Sequence, residues 1–294
     1  RFSVTQQVDG YWYLLNQLDS DPGTITVYGG EFVNYDPATG DDAGTVSTFV
    51  AEGYSSVKTG ENPDTWQVIK GAGATTAEEL KEAVAAGEPV ITLVKDIALT
   101  EVLSFNKDVT LVADGDVTLT GAPVYFNGAN TTVRGIRFAN GTSSSGNASA
   151  VYVTSQNCRT LSFEDCTFTN AQWDAIQLTD KDIESVTIAN CTFCNTVEGG
   201  YRYIHLELRD GSAYYANAAA KVTITGCTFE NVSTTYCKDS AVTLCGFSHE
   251  NMTIENNVVK GDGADNITTS MFWICNGTNF GDLFSVDELK SMFR

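Results

Sequence analysis

Residues 185–195 read SVTIANCTFCN, and the pattern of this stretch recurs at four other places in the chain. Each copy alternates apolar and polar residues, turns at an Asn, Asp or Gly, and then alternates again through a Phe or Val. The copies begin at Thr131, Leu161, Val186, Val222 and Met252. Equivalent residues of successive copies are about 25 to 36 positions apart, a spacing that indicates stacked structural repeats.

In each repeat, another segment of alternating apolar and polar residues precedes this motif. These segments begin at Val124, Val151, Ile176, Ile204, Val242 and Phe272. Alternation of apolar and polar residues indicates strands with one buried face. Short strands and turns that recur without helices between them are best stacked as coils of a parallel β-helix, each about 4.8 Å above the last. The sequence therefore predicts an all-β solenoid.

Stacking would place equivalent residues of successive repeats above one another. One predicted internal column consists of Phe138, Phe168, Phe193, Phe229 and Val259. Its neighbour consists of Ile136, Cys166, Cys191, Cys227 and Asn257. The corner between the two strands would be formed by Asp165, Asn190, Gly226 and Asn256. These residue types tolerate unusual backbone angles better than others do, as a corner requires.

The motif V-x-I-x-N-C/N-x-F-x-N resembles the repeats of right-handed parallel β-helix proteins of the pectate-lyase-like type, found on bacterial cell surfaces or in phage appendages. The resemblance covers about residues 75 to 280 and implies a right-handed solenoid. It does not extend to the catalytic arginine motif of pectate lyases or to the paired-aspartate, Gly-His-Gly and Arg-x-Lys motifs of polygalacturonases. The stretches GGEFVNYDP and FVAEGY resemble segments of large surface proteins of gut bacteria and their phages.

The domain prediction is a small β-rich module over residues 1–71, itself the start of a fragment, followed by the β-helix over 72–294. Thr76-x-x-Glu79 and Ser285-x-x-Glu288 have the form of helix-capping boxes. They predict helices near 76–86 and 285–293. A solenoid exposes unpaired strand edges and core at its ends, so we expect one helix to cap each end.

Composition excludes several classes of partner. The 37 acidic and 17 basic residues give a net charge of −20, which would repel nucleic-acid phosphates and an anionic membrane surface. No apolar run reaches the roughly 20 residues of a membrane helix, so no membrane insertion is expected within this fragment. No cofactor is expected. Acidic turns at 19–21 and 36–42 leave structural calcium open, although neither matches a complete ligand pattern.

The Cys-x-x-Cys of the first stretch is not predicted to bind metal. Residues three apart on a strand point to opposite faces, so Cys191 would lie inside and Cys194 outside. Two disulfides remain open on spacing alone. Cys245 and Cys275 occupy equivalent positions in consecutive repeats, within disulfide reach, and Cys194 could meet Cys237 through the next connector.

The outward residues of the upstream strands form the candidate binding site. They are Tyr125, Tyr152, Gln177, His205 with Glu207, Thr243 and Trp273. Aromatic rings can stack on sugar rings while amides and carboxylates bind hydroxyl groups, so the stripe predicts glycan binding on an exposed face. The alternative is that aromatic residues at outward strand positions serve only to pack against their neighbours.

The function expected is an extracellular adhesin or spacer of a bacterial surface protein or phage appendage, with a glycan or a host or bacterial surface as partner. Its oligomeric state is open. The alternative is a polysaccharide lyase or glycoside hydrolase. Hydrolysis needs two facing carboxylates, for which Glu207 has Asp174 or Asp210 as a partner, but the sequence places no pair at the required spacing. No catalytic residue is therefore assigned.

Overall fold

The computed structural model describes residues 1–7, 10, 14–15, 17, 23–40, 47–142, 147–153, 157–210, 213–214, 216–275 and 281–294. The chain divides into two compact units, Arg1–Asp96 and Ile97–Arg294. The acidic turn at 19–21 and residues 41–42 of the one at 36–42 lie outside the described residues, so the structure does not test calcium binding at these complete turns.

The first unit contains an antiparallel hairpin, two strands that extend its sheet, a parallel pair of strands and a helix. Its elements are β1 (Phe2–Ser3), β2 (Gly30–Val33), β3 (Tyr54–Glu61), β4 (Asp64–Lys70), β5 (Ala72–Ala74), α1 (Ala77–Ala86) and β6 (Val90–Leu93). One sheet has the order β1-β2-β4-β3, and β5 pairs in parallel with β6. Its core includes Val27, Phe32, Tyr35, Phe49 and Val68.

Helix α1 begins and ends at the signals present in the sequence. The Thr76 side chain accepts a hydrogen bond from the Glu79 backbone N–H, and Gly87 ends the helix in the left-handed conformation. Leu80 and Ala83 are the buried residues of its apolar face. The helix belongs to the first unit, so its expected role as a cap of the repeats stays a prediction.

The second unit holds the repeats. Its first strands are β7 (Ile97–Leu99), β8 (Leu103–Phe105), β9 (Val109–Gly121), β10 (Val124–Phe126), β11 (Asn130–Asn140), β12 (Val151–Val153), β13 (Thr160–Glu164), β14 (Thr167–Thr169), β15 (Ile176–Leu178), β16 (Ser185–Ala189) and β17 (Thr192–Cys194). It continues with β18 (Ile204–Glu207), β19 (Arg209–Asp210), β20 (Ala213–Tyr214), β21 (Lys221–Thr225), β22 (Thr228–Glu230), β23 (Val242–Cys245), β24 (Met252–Glu255), β25 (Val258–Lys260), β26 (Phe272–Ile274) and α2 (Val286–Met292).

Each repeat pairs with the next one in parallel. A seven-stranded sheet, which we call the upstream sheet, has the order β26-β23-β18-β15-β12-β10-β8. The motif strands form two further parallel series that share β9 and β11. One series continues through β13, β16, β21 and β24, and the other through β14, β17, β22 and β25. The second unit is therefore mostly parallel β-structure built from stacked repeats, an arrangement compatible with a β-helix.

The predicted internal columns are present. Phe138, Phe168, Phe193, Phe229 and Val259 pair in register, and all are buried. Cys166, Cys191 and Cys227 are also buried, with Asn257 at the end of their column. The corner residues Asp165, Asn190, Gly226 and Asn256 have φ values of 55°, 54°, 65° and 58°. The corner uses the left-handed backbone region, for which Asn, Asp and Gly are favoured.

Helix α2 covers the end of the repeat stack within the second unit. Ser285 and Glu288 form a complete capping box at its start. Leu289 and Phe293 are fully buried, and the Phe293 ring centroid lies 4.2 Å from that of Phe272 and 5.6 Å from that of Phe229. The aromatic column is thereby closed by a residue of the C-terminal segment.

Candidate functional site

The candidate binding stripe has the order that the sequence predicts. Tyr125 pairs in register with Tyr152, and the same column continues through Gln177, His205, Thr243 and Trp273. The T-shaped contact between Tyr125 and Tyr152, with ring centroids 5.2 Å apart, lies at one end of the column. The upstream sheet therefore brings these side chains onto one face.

The middle of this face is not exposed, which corrects the expectation of an open stripe. Gln177, His205, Glu207 and Thr243 are all buried, whereas both tyrosines and Trp273 are partly exposed. The cause is a second column, which lies two residues before the first residue of each strand. This covering column consists of Ser149, Asp174, Arg202 and Ser240.

The covering column hydrogen-bonds to the stripe beneath it. The Ser149 hydroxyl donates to Gln177 Oε1 at 2.9 Å, and Asn147 Nδ2 donates to the same oxygen. The hydroxyl oxygens of Ser240 and Thr243 lie 2.6 Å apart. These contacts satisfy polar groups that burial would otherwise leave without partners, at a cost of about 1–3 kcal/mol each.

At the centre, His205 lies between two carboxylates. Its Nδ1 is 2.8 Å from Asp174 Oδ2, and its Nε2 is 3.2 Å from Glu207 Oε2. Asp174 is 0% exposed, His205 6% and Glu207 3%. The repeats produce this geometry, because Asp174 precedes β15 while His205 and Glu207 lie two residues apart on β18 and face the same side.

Two arginines complete this group. Arg202 contacts Asp174, His205 and Asp239, and its Nη1 is 3.1 Å from His205 Nδ1. Arg209 pairs with Glu207. We call Asp174, Arg202, His205, Glu207, Arg209 and Asp239 the polar cluster. With His205 protonated, its three positive charges balance its three negative ones.

The pKa directions of His205 and Glu207 agree with a charged His205, whereas that of Asp174 goes the other way. Burial alone would lower the pKa of His205, but the carboxylates of Asp174 and Glu207 outweigh it and raise that pKa above the usual value. Burial raises the pKa of the Asp174 carboxyl, against the pull of His205 and Arg202. For Glu207 burial acts upward too, yet His205 and Arg209 lower its pKa overall.

This arrangement is poorly suited to general acid–base catalysis. A catalytic carboxylate or imidazole must reach the substrate within hydrogen-bond distance. Here Asp174, His205 and Glu207 are turned towards one another and are almost inaccessible to solvent. The sequence also named Asp210 as a partner of Glu207, but the Asp210 side chain lies outside the described part of the structure.

A partly exposed aromatic pair lies directly beside the polar cluster. The Trp173 and Tyr201 rings stack with centroids 4.4 Å apart and an interplanar angle of 8°, and Trp173 is 41% exposed. The Arg202 guanidinium lies over the Tyr201 ring, 4.9 Å from its centroid. Sequence reasoning missed this pair. Its signal was an aromatic residue three positions before the first strand residue in two consecutive repeats.

The cysteines fall into different environments. Cys191 is buried and Cys194 is partly exposed beside Glu230, as the alternation of β17 requires. Cys237 is buried near Tyr203. Cys245 and Cys275 meet, with their sulfur atoms 3.3 Å apart. Among the described residues, no group of three or more His, Cys, Asp or Glu side chains is arranged to hold a metal ion.

Comparison with known proteins assigns no family. No family model matches the chain, and no curated protein or solved structure matches it significantly. In the part of the chain that the structure describes, no helix has the length and apolar character needed to span a membrane.

Proposed function

We propose that the chain is a right-handed parallel β-helix module of the pectate-lyase-like type, that it lies outside the cell on a bacterial surface protein or phage appendage, and that it acts as a non-catalytic adhesin for glycans. The observation that carries this proposal is the exposed Trp173, stacked on Tyr201 beside the mostly buried polar cluster. The net charge of −20 and the repeat motif add support.

The aromatic pair suits a neutral sugar surface. A ligand cannot enter between rings that are 4.4 Å apart, so the exposed part of Trp173 is the contact that the pair offers. Tyr201 is fixed between Trp173 and the Arg202 guanidinium, and Arg202 is fixed by the polar cluster. A preorganised ring costs less side-chain entropy on binding than a mobile one does.

The polar cluster supports this role without chemistry of its own. Its acidic and basic groups already form ion pairs with one another, so their charges are compensated within the cluster. Removal of any partner from a buried charge network leaves an unpaired charge and is strongly destabilising. We infer that the cluster holds the surface around Trp173 rigid.

A glycan array tests the proposal. The parent chain should bind a subset of neutral glycans, and Trp173→Ala should lose at least about tenfold in affinity, since aromatic anchors contribute about 1–2 kcal/mol or more at such contacts. Tyr152→Ala and Trp273→Ala test whether the ends of the stripe extend the site. Tyr28→Ala is the matched control, because Tyr28 is 65% exposed in the first unit and remote in sequence from the stripe.

Equal binding by the parent and Trp173→Ala would show that Trp173 is not the contact with the glycan. If no glycan bound to the parent, the adhesin role would be wrong and a spacer would remain. A spacer needs only the stacked repeats, so it predicts that neither the parent nor any variant binds a glycan.

The second candidate is a polysaccharide lyase or glycoside hydrolase. It is favoured by one observation, the convergence of Asp174, His205 and Glu207 at the centre of the upstream sheet. Incubation with acidic and neutral polysaccharides, followed by assays for new reducing ends and unsaturated products, decides between the two. Cleavage by the parent that His205→Gln abolishes would replace the non-catalytic proposal.

A further inference from the structure

Two cysteines of the last repeats are placed for a covalent bond. Cys245 ends β23 and Cys275 directly follows β26, and the pairing of Leu244 with Ile274 puts them at equivalent positions. Their sulfur atoms are 3.3 Å apart, and both residues are almost completely buried. Both are thiols in the structure.

We propose that Cys245 and Cys275 form a disulfide that ties the last strand of the upstream sheet to the preceding repeat. The bond forms by exchange with a small-molecule disulfide. A thiolate of one cysteine attacks that disulfide and releases one small thiol, and the other cysteine then attacks the mixed disulfide and releases the second. The protein loses two electrons and two protons, and the small disulfide takes up both.

The position of the bond gives it a structural role. Cys275 forms an isolated antiparallel β-bridge with Leu283, and the Phe284 N–H donates to the Ile274 carbonyl at 3.1 Å. The residues just before α2 are therefore held against the end of β26. A bond at Cys275 therefore anchors β26 together with the segment that covers the aromatic column. The end of a repeat array has a neighbour on one side only, and it is where opening begins.

The other disulfide that spacing left open has no comparable geometry. Cys194 lies beside Glu230 on the outside of β17, while Cys237 is buried near Tyr203. Cys166, Cys191 and Cys227 direct their sulfur atoms to backbone carbonyls inside the stack. Their role as core residues requires no oxidation.

Peptide mapping tests the proposal directly. The chain is unfolded and reduced, then refolded either with oxidised and reduced glutathione or with a phosphine reductant. Free thiols are alkylated before digestion with trypsin. Cleavage after lysine and arginine gives peptides 239–260 and 261–290, which hold Cys245 and Cys275 as their only cysteines. The oxidised sample should contain these two peptides joined, with a mass lower by two hydrogens than their sum.

Stability provides the second readout. The closed loop spans about 30 residues, so the oxidised parent should unfold at a midpoint about 10 °C higher than the reduced parent. Cys275→Ser should abolish both the joined peptide and this difference. Cys194→Ser is the matched control and should keep both.

Two outcomes overturn the proposal. One is recovery of both peptides in alkylated form from the oxidised sample, and the other is a bond between Cys245 or Cys275 and a different cysteine. If the chain does not refold, the same digestion of protein purified without reductant decides the question. Neither outcome depends on glycan binding, so the proposed function stands or falls separately.

Discussion

The inner and outer faces of the repeats both stack residues from equivalent positions, yet they do so in opposite ways. Inside, Phe138, Phe168, Phe193 and Phe229 repeat one residue, with ring centroids 4.9, 5.1 and 5.2 Å apart and interplanar angles of 5°, 6° and 8°. Outside, the stripe that contains the polar cluster's His205 uses a different residue in almost every repeat. The column depends on identical neighbours, whereas the cluster depends on complementary ones.

The largest effect should come from breaking the inner column. Phe193→Ala removes a fully buried ring that stacks on Phe168 and Phe229, and it leaves a cavity because the strands on either side are held in register. We expect a loss of about 4 kcal/mol in the free energy of unfolding, measured by urea denaturation. Val197→Ala, at a position 63% exposed, is the control and should change stability by less than about 0.5 kcal/mol. Similar losses for the two variants would mean that the column contributes no special stability.

Breaking the polar cluster should lower the free energy of unfolding by nearly as much. Asp174→Ala leaves His205 and Arg202 without their shared carboxylate in a buried site, so we expect a loss of about 3 kcal/mol. The double change Asp174→Ala with His205→Ala should cost less than the sum of the two single changes, because it removes the stranded charge as well. Strict additivity would show that the two residues act independently. Asp116→Ala, which breaks an exposed ion pair with Arg137, is the control and should have little effect.

The inner column was predictable because the sequence repeats it. Phe, Cys and Asn recur at fixed offsets, and the strand pairing follows those offsets. The cluster was only half predictable. Alternation correctly predicts that His205 and Gln177 lie on the outward side of the strands. It does not predict whether an outward side chain is exposed to solvent. Asp174 and Arg202 lie in the connectors between strands, where residues do not alternate. A strand pattern therefore cannot predict that their side chains cover the outer face of the sheet.

The corner of the repeat gives a smaller effect. Asn190 has a φ of 54°, where a side chain without a local polar group is strained. Asn190→Ala should lose about 1 kcal/mol in the free energy of unfolding, whereas Asn190→Gly should be nearly neutral because glycine has no Cβ. Urea denaturation of both variants measures the difference. Equal stability of the two would indicate that the Asn190 side chain, and not its backbone angle, stabilises the corner.

The smallest effect is expected from a change in pH, which removes one proton from His205 and leaves all side chains in place. It should distinguish the outer face, which contains His205, from the inner one. The pKa of His205 is raised in the folded chain by Asp174 and Glu207, in spite of burial. Its contribution is therefore complete below the ordinary histidine pKa of about 6.5, and it is lost as pH rises through the raised value. Asp174 and Arg202 face the same ring, and neither alters this direction, because the raised pKa already includes their effects.

The measurement compares the parent with His205→Gln between about pH 6 and about pH 9. The stability advantage of the parent should shrink as pH rises, while the cost of Phe193→Ala should stay constant, because no titratable group belongs to that column of rings. On the acidic side Glu207 acts in the reverse sense, since its lowered pKa makes its contribution complete above the ordinary glutamate pKa and lost as pH falls. A cost of His205→Gln that did not change with pH would mean that the pKa of His205 is the same in the folded and the unfolded chain, so that His205 is mostly neutral above about pH 6.5. The cluster would then carry an uncompensated negative charge, and it could not hold the surface around Trp173 in the way that we infer.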